Sequence, residues 1–204
     1  MTEIQTGGDT SDLHWTLDDA TRIRPFQPDD APALYRLISS SRNHLDRWLR
    51  WSNSIQSEAD ATATIARYVA KRSSGAGFHS GIWVQGHLAG GIVCRDLDPV
   101  SRNAEIGYWL GAGFTGRGLA TRGTILMIQY LFGVRKLHRL EMQCAVDNEP
   151  SRAIPEKLGF RLEGIRRDST WIATDFADHA VYGLLENEWN GPPELRPGRR
   201  SSVI

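Results

Sequence analysis

The stretch GFTGRGLATRG, residues 113–123, packs four glycines and two arginines into eleven positions and runs straight into the apolar TILMIQYLF. Glycine inside an element costs about 0.5–1 kcal/mol relative to alanine, so this density implies a backbone that must pass close to something. A strand, a glycine-rich turn and a helix N-terminus together form an anion site, because unpaired N–H groups and the helix dipole converge there. The local charge agrees. From Ile106 to Leu140 there is no aspartate or glutamate, whereas Arg117, Arg122, Arg135, Lys136 and Arg139 supply positive charge. Glu105 is the one carboxylate on NAEIGYWL, the strand-like run entering the loop; it reads either as a proton-accepting group or as a solvated edge residue. Asn148 precedes EPSRAI and reads as a helix N-cap, worth about 1 kcal/mol, with Ser151 three residues on in the first turn. Trp48 and Trp51, in DRWLRW, share one face of a helix and suit either the core or an aromatic pocket wall.

Other chemistries fit less well. GAGFTG satisfies a dinucleotide fingerprint through Gly111, Gly113 and Gly116. The acid needed about 20 positions on for the ribose is missing, since Glu141 comes too late, and the strand before the loop alternates where a central parallel strand would be solidly apolar. No Gly-Lys-Ser/Thr follows, which excludes a P-loop. The six histidines (His14, His44, His79, His87, His138, His179) show no metal-ligand spacing. Asp178 and His179 are adjacent on a strand, so they point to opposite faces and make a poor catalytic pair.

The elements that must position these groups follow from period and punctuation. RIRPF (22–26) reads as a strand, and DDAPALYRLISSS as a helix capped by Asp29 or Asp30. NHLDRWLRW (43–51) has helical spacing, and SEADATATIARYVAKRSS opens with a capping-box-like serine. GIWVQGHLAGGIVCRD gives two strands turning about Gly86-His87. AEIGYWL, HRLEMQCAV, FRLEGIRRD and DHAVYGLLENEW read as strands, LATRGTILMIQYLF and NEPSRAIPEKLG as helices. The implied fold class is α/β or α+β, a central sheet that is largely antiparallel at its start and flanked by helices. At 204 residues, with 40% hydrophobic and 24% charged residues, the chain suits one soluble domain, expected over 13–189. Residues 1–12 and 190–204 are expected to be loose. Lysine plus arginine equals aspartate plus glutamate, 24 each, so whole-chain charge argues for neither nucleic acid nor membrane as a partner. Cys94 and Cys144 lie in apolar contexts and read as buried reduced thiols. No apolar run approaches 18 residues and the N-terminus lacks signal-peptide regions, so a cytoplasmic location is expected.

With TGRGLA, Thr115–Ala120, the chain resembles the GNAT superfamily of N-acetyltransferases, whose acetyl-coenzyme A motif runs [QR]-x-x-G-x-[GA] into a helix. Gly118 and Ala120 match; Thr115 replaces the usual glutamine or arginine. AEIGYWLG, HRLEMQCAVDNEPSRAIPEKLGFRLEG, DHAVYGLLENEW and NHLDRWLRW extend the resemblance to the RimJ/RimL-like branch, the ribosomal-protein-serine acetyltransferase type, over about residues 20–189. The resemblance implies a mixed, mostly antiparallel twisted sheet of about seven strands. It implies acetyl-CoA as cosubstrate, no metal, direct attack by a primary amine of a protein N-terminus or small molecule, and a homodimer. A non-catalytic acyl-coenzyme A-binding module on the same fold is the rival reading.

The resemblance also distributes roles. Thr115, Gly116, Arg117 and Gly118, with Leu119, Ala120 and Thr121 on the first helical turn, would hold the pyrophosphate. Asn148 would add a hydrogen bond to the coenzyme, and the backbones of Trp109 and Leu110 would bind the pantetheine arm and polarise the thioester. Glu105 would take the proton of the amine through a water, and Trp48 and Trp51 would line the acceptor cleft. Many members carry a tyrosine just before EKLGF as the acid for the departing thiolate; here Pro155 stands in that place. Proline removes the helical bond to the carbonyl four residues back, that of Ser151. Ser151 is therefore the expected thiolate acid, directly or through a water at the freed carbonyl; in the alternative it merely faces solvent.

Overall fold

The computed structural model describes residues 13–172 and 175–192. Of the segments expected to be loose, 1–12 and 190–204, residues 1–12 and 193–204 lie outside the described residues. Eight strands form one sheet in the order β1-β2-β3-β4-β5-β6-β8-β7. Every neighbouring pair is antiparallel except β5–β6, which is parallel. The mixed, mostly antiparallel sheet is thus present, with one strand more than the expected seven. The extra strand is β1 (Trp15–Asp18), too short to show alternation. It is held by Trp15, which is buried with its ring centroid 5.7 Å from that of Tyr130.

β2 (Thr21–Pro25), β3 (Phe78–Val84) and β4 (His87–Asp98) continue the sheet. The β3–β4 turn falls on Gln85 and Gly86, both at positive φ, one residue earlier than the expected Gly86-His87. That pair of conformations matches the right-handed twist of the flanking strands. β5 (Asn103–Leu110) leads through the glycine loop into α4 (Leu119–Gly133) and back to β6 (Arg139–Ala145). α5 (Glu149–Leu158) follows, and β7 (Arg161–Ile172) and β8 (Asp175–Leu185) close the sheet as a long hairpin whose second strand inserts beside β6.

α4 is apolar on most sides and packs in the larger core, which also takes Ile106, Leu140 and Met142 from the sheet. A helix apolar nearly all round must be covered nearly all round. α1 (Ala31–Ser40) and α3 (Glu58–Ser73) form a second cluster with Leu88 and Trp109. β5 therefore serves both faces by alternation: Ile106 and Tyr108 join the α4 side, Trp109 the α1–α3 side. Ser57 caps α3 as expected, accepting from Asp60 N–H at 3.2 Å. Asp30 precedes α1 but its carboxylate makes no cap bond; it holds the Arg24 guanidinium at 2.7 and 2.8 Å and accepts from Gln27 N–H.

The helix expected over 43–51 is broken. Only Arg42–Leu45 (α2) is α-helical, and a 3-10 turn spans Arg50–Ser54. The buried Ser52 hydroxyl bonds to Asp46 Oδ1 at 2.7 Å and to Leu49 O at 2.6 Å. Such side-chain bonds offer the backbone an alternative to the helical ladder.

Candidate active site

β5 and β6 are paired only from Asn103–Glu105 to Arg139–Glu141, although each strand continues beyond. Past Glu105 they diverge, and a cleft of about 1510 Å³ passes through the sheet there. Gly111 N–H is bonded to Ala89 O on β4 at 2.9 Å. Backbone groups alternate sides along a strand, so those of Trp109 also point to β4, while those of Tyr108 and Leu110 point into the gap. This changes one expectation. Leu110 can offer backbone groups to a pantetheine arm; Trp109 instead contributes an indole, buried to 8% exposure. A side chain at Gly91 would strike the Trp109 Nε1, so that glycine leaves the room the indole occupies.

The glycine loop forms one end of the cleft, lined by Thr115, Gly116, Gly118, Leu119, Ala120 and Thr121. Gly116 and Gly118 have φ of 74° and 71°, and Gly118 is the N-cap of α4. A Cβ at either would meet no protein atom within 4 Å; the space above them faces the cleft. Arg122 N–H is bonded back to Gly118 O at 2.9 Å, and the amides preceding it lack carbonyls one turn back. An anion at the loop would therefore meet main-chain nitrogens. The basic residues contribute less than their number suggests. Arg122 is held by Asp18 and Leu17 O, and Arg139 by Glu163 and Glu141. Arg135 and Lys136 follow the far end of α4, about 22 Å away for 15 residues. Arg117 is not among the cleft residues; its guanidinium lies over the Phe114 ring at 5.4 Å. Gly118→Val is expected to lower acetyl-CoA affinity at least tenfold, because the side chain fills the cradle and φ there disfavours any L residue. Calorimetry on the folded variant reads this, and wild-type affinity would place the coenzyme elsewhere.

Glu105 lies at the point where the strands part. It is ion-paired with Arg95, and Gln143 Nε2 approaches its other oxygen at 3.4 Å. Burial raises its pKa above the ordinary 4.5, the Arg95 guanidinium opposing this and the Asp96 and Glu141 carboxylates adding to it. A carboxylate made more basic by desolvation and facing a cleft is suited to accept a proton.

Across the strand, Asn148 caps α5, its Oδ1 accepting from Ser151 N–H at 3.2 Å, and both residues line the cleft. That cap bond uses the Asn148 oxygen and not its amide NH₂. Pro155 does sit inside α5, and the Ser151 carbonyl it frees is not left to water. The Tyr108 hydroxyl lies 2.6 Å from Ser151 O and 3.1 Å from Ser151 Oγ. With the phenol proton donated to the carbonyl, the Tyr108 oxygen can only accept from the serine hydroxyl. Burial pushes the Tyr108 phenol well above its usual pKa of 10, so it stays protonated. Ser151 Oγ is also 3.4 Å from Cys144 Sγ, a free thiol whose pKa burial likewise raises. Sequence reasoning missed Tyr108. Two signals pointed to it: its parity opposite to Glu105, and a freed carbonyl that needed a donor.

Trp48 and Trp51 both line the cleft but do not share a helix face. Trp51 packs edge-on against Trp109, ring centroids 5.2 Å apart, and Trp48 lies under the Arg47 guanidinium at 5.0 Å. Asp178 accepts from Asp168 N–H and His179 faces Ser169; the two are bonded to β7 and not to each other. Among the described residues no group of three or more His, Cys, Asp or Glu is arranged to hold a metal ion.

The acetyltransferase (GNAT) domain family matches residues 21–161. The chain belongs to that family. Among its relatives is the Bacillus subtilis (strain 168) protein named "Putative ribosomal N-acetyltransferase YdaF", 36% identical over 170 residues, 83% of this chain and 93% of the relative. The ribosomal-protein-serine acetyltransferase of Escherichia coli (strain K12) is 27% identical over 185 residues, 91% of this chain and 98% of the relative. The fold matches that of RimL, a ribosomal L7/L12 α-N-protein acetyltransferase solved with coenzyme A. The TM-score is 0.80 at 22% identity, over 84% of this chain and 97% of that one. The GNAT reading thus accounts for the split strands, and the chain is an acetyl-CoA-dependent N-acetyltransferase.

Proposed function

We propose that this GNAT enzyme acetylates the N-terminal amine of a protein, by direct attack of the amine on the thioester within the β5–β6 gap. The observation that carries the reading is the gap itself: it joins Glu105 on one side of the sheet to Ser151 and Tyr108 on the other. The amine enters from the Glu105 side, past Trp48 and Trp51. Glu105 takes its proton, through a water where the reach requires one. An α-amine has a pKa near 8, so a modest base suffices. Acetyl-CoA lies with its pyrophosphate on the glycine loop and its pantetheine along Leu110, where backbone groups polarise the carbonyl. As the thiolate leaves, the Ser151 hydroxyl turns from Tyr108 to give it a proton and takes one back from solvent in the open cleft.

The relatives named for ribosomal proteins favour a protein acceptor and a cytoplasmic setting. The proposal includes a homodimer, which would cover the exposed Leu162, Ile165, Trp171 and Phe176 of the β7–β8 hairpin. Release of free thiol from acetyl-CoA, followed against peptides with different N-terminal residues and against small amines, tests the reading. The expected result is turnover with peptides bearing a free α-amine and none with N-blocked versions. Turnover confined to small amines would overturn the protein-acceptor reading, and coenzyme binding without turnover on any amine would favour the non-catalytic module.

A further inference from the structure

The charge around the cleft is divided. On the coenzyme side, Asp147 and Glu149 sit at the start of α5 with Lys157 along the same helix. On the acceptor side, around Trp48 and Trp51, the charged residues lining the cleft are Arg47, Arg50, Arg67, Arg95 and Arg166, against one lining carboxylate, Glu105; Asp96 and Glu141, which also act on it, are paired with Lys71 and Arg139. Glu105 is already matched by Arg95. The other four arginines form no ion pair among the described residues. Arg47 rests on the Trp48 ring, Arg67 bonds to Thr64 Oγ1 at 2.8 Å, and Arg166 bonds to Gln143 Oε1 at 3.0 Å. Gln143 in turn reaches Glu105. Of the three histidines lining the cleft, His44, His79 and His179, burial depresses His79 to about 3, with Lys71 and Arg95 adding to it, and burial also lowers His179. His79 and His179 are thus neutral at physiological pH. Elsewhere the fold pairs arginines with carboxylates, as with the half-buried Arg122 and Arg139 and the exposed Arg161. The acceptor mouth is left cationic.

A cationic mouth repels the ammonium group of an incoming amine, and a polyamine most of all, unless the substrate carries compensating charge. We propose that the acceptor is an acidic chain terminus: a free α-amine followed, within the next few residues, by aspartates or glutamates that lie against Arg47, Arg50, Arg67 and Arg166. Guanidinium groups pair with carboxylates in a fixed two-pronged geometry. The flanking carboxylates draw the substrate in while Glu105, held by Arg95, receives the amine proton. The mouth thus selects by charge in the segment after the amine, and the aromatic wall of Trp48 and Trp51 accommodates the first side chain. This inference rests on the protein-acceptor reading above.

The test uses the full chain and three peptides of equal length with the same N-terminal residue, followed by acidic (Asp/Glu), neutral (Asn/Gln) or basic (Arg) residues, with spermidine as a fourth acceptor. Thiol release gives kcat/KM for each at low and at physiological ionic strength. The expected order is acidic above neutral by about tenfold, a modest factor from each of several exposed pairs. Basic peptide and spermidine fall below neutral, and salt narrows the spread. In Arg47→Gln/Arg50→Gln/Arg67→Gln the acidic preference should shrink to about twofold, through a higher KM for the acidic peptide at unchanged kcat. Equal rates for the three peptides, a basic preference, or an acidic preference that survives the triple substitution would each overturn the inference while leaving peptide acetylation intact. Turnover of spermidine with no peptide would overturn the underlying reading as well.

Discussion

Glu105→Gln should lower kcat by about a hundredfold or more with the KM for acetyl-CoA nearly unchanged. A positioned general base contributes about 10²–10⁴-fold. The lower end applies here because an α-amine near its pKa of about 8 is already partly neutral at pH 7. Coenzyme affinity is spared because Glu105 alternates away from Tyr108 and the α5 side of the gap. The pH profile supplies the sharper check. The working form is the carboxylate, and burial sets its pKa above 4.5, so the rate should fall with acid at a pH above the ordinary glutamate range. Arg95 opposes that rise; Arg95→Ala should therefore move the acid limb to still higher pH, while Glu105→Gln should abolish it. Near-full activity with an unmoved limb in Glu105→Gln would leave Glu105 a structural partner of Arg95.

Ser151→Ala should lower kcat tenfold or more at nearly constant KM for acetyl-CoA, because the interaction it removes exists only as charge develops on sulfur. Tyr108→Phe should follow in the same direction with a smaller loss. The phenol does not touch the thiolate in this account; it fixes the serine rotamer and satisfies the carbonyl that Pro155 frees. Pro155→Ala distinguishes positioning from mere packing. It restores an N–H to bond Ser151 O, turns the Tyr108 proton toward Ser151 Oγ and frees the serine proton for the sulfur, and so should hold or raise kcat without lowering stability. Acetyl-CoA KM and the melting temperature read the two apart. An unaltered kcat in Ser151→Ala would make solvent the acid.

The loop and its flanking elements were legible because their signals are local. Glycines with positive φ, the Asn148 cap and the alternation of AEIGYWL each declare themselves within a few residues. What was not legible depends on residues distant in sequence. Tyr108 and Ser151 are 43 positions apart, and only the β5-α4-β6-α5 path brings the phenol under the carbonyl that Pro155 frees. Arg95 and Gln143 reach Glu105 from two other strands. The segment 43–51 misled for the opposite reason: its helical spacing is real, but the Ser52 hydroxyl and the Trp51–Trp109 contact favour a tighter turn. The positive bias of 106–140 was a true feature of composition with a different purpose. Arg122 ties α4 to β1 and Arg139 ties β6 to β7, so both are engaged in holding the fold together.

The central claim is that the amine attacks the thioester directly while both substrates occupy the gap. Cys144, a free thiol 3.4 Å from Ser151 Oγ, is the nearby group that could instead carry the acetyl. Intact-protein mass measured after incubation with acetyl-CoA alone, and again after adding an acceptor peptide, decides between the two. The account predicts unmodified enzyme in both samples and acetyl only on the peptide. An acetylated enzyme in the first sample that loses its acetyl to the peptide in the second would contradict it.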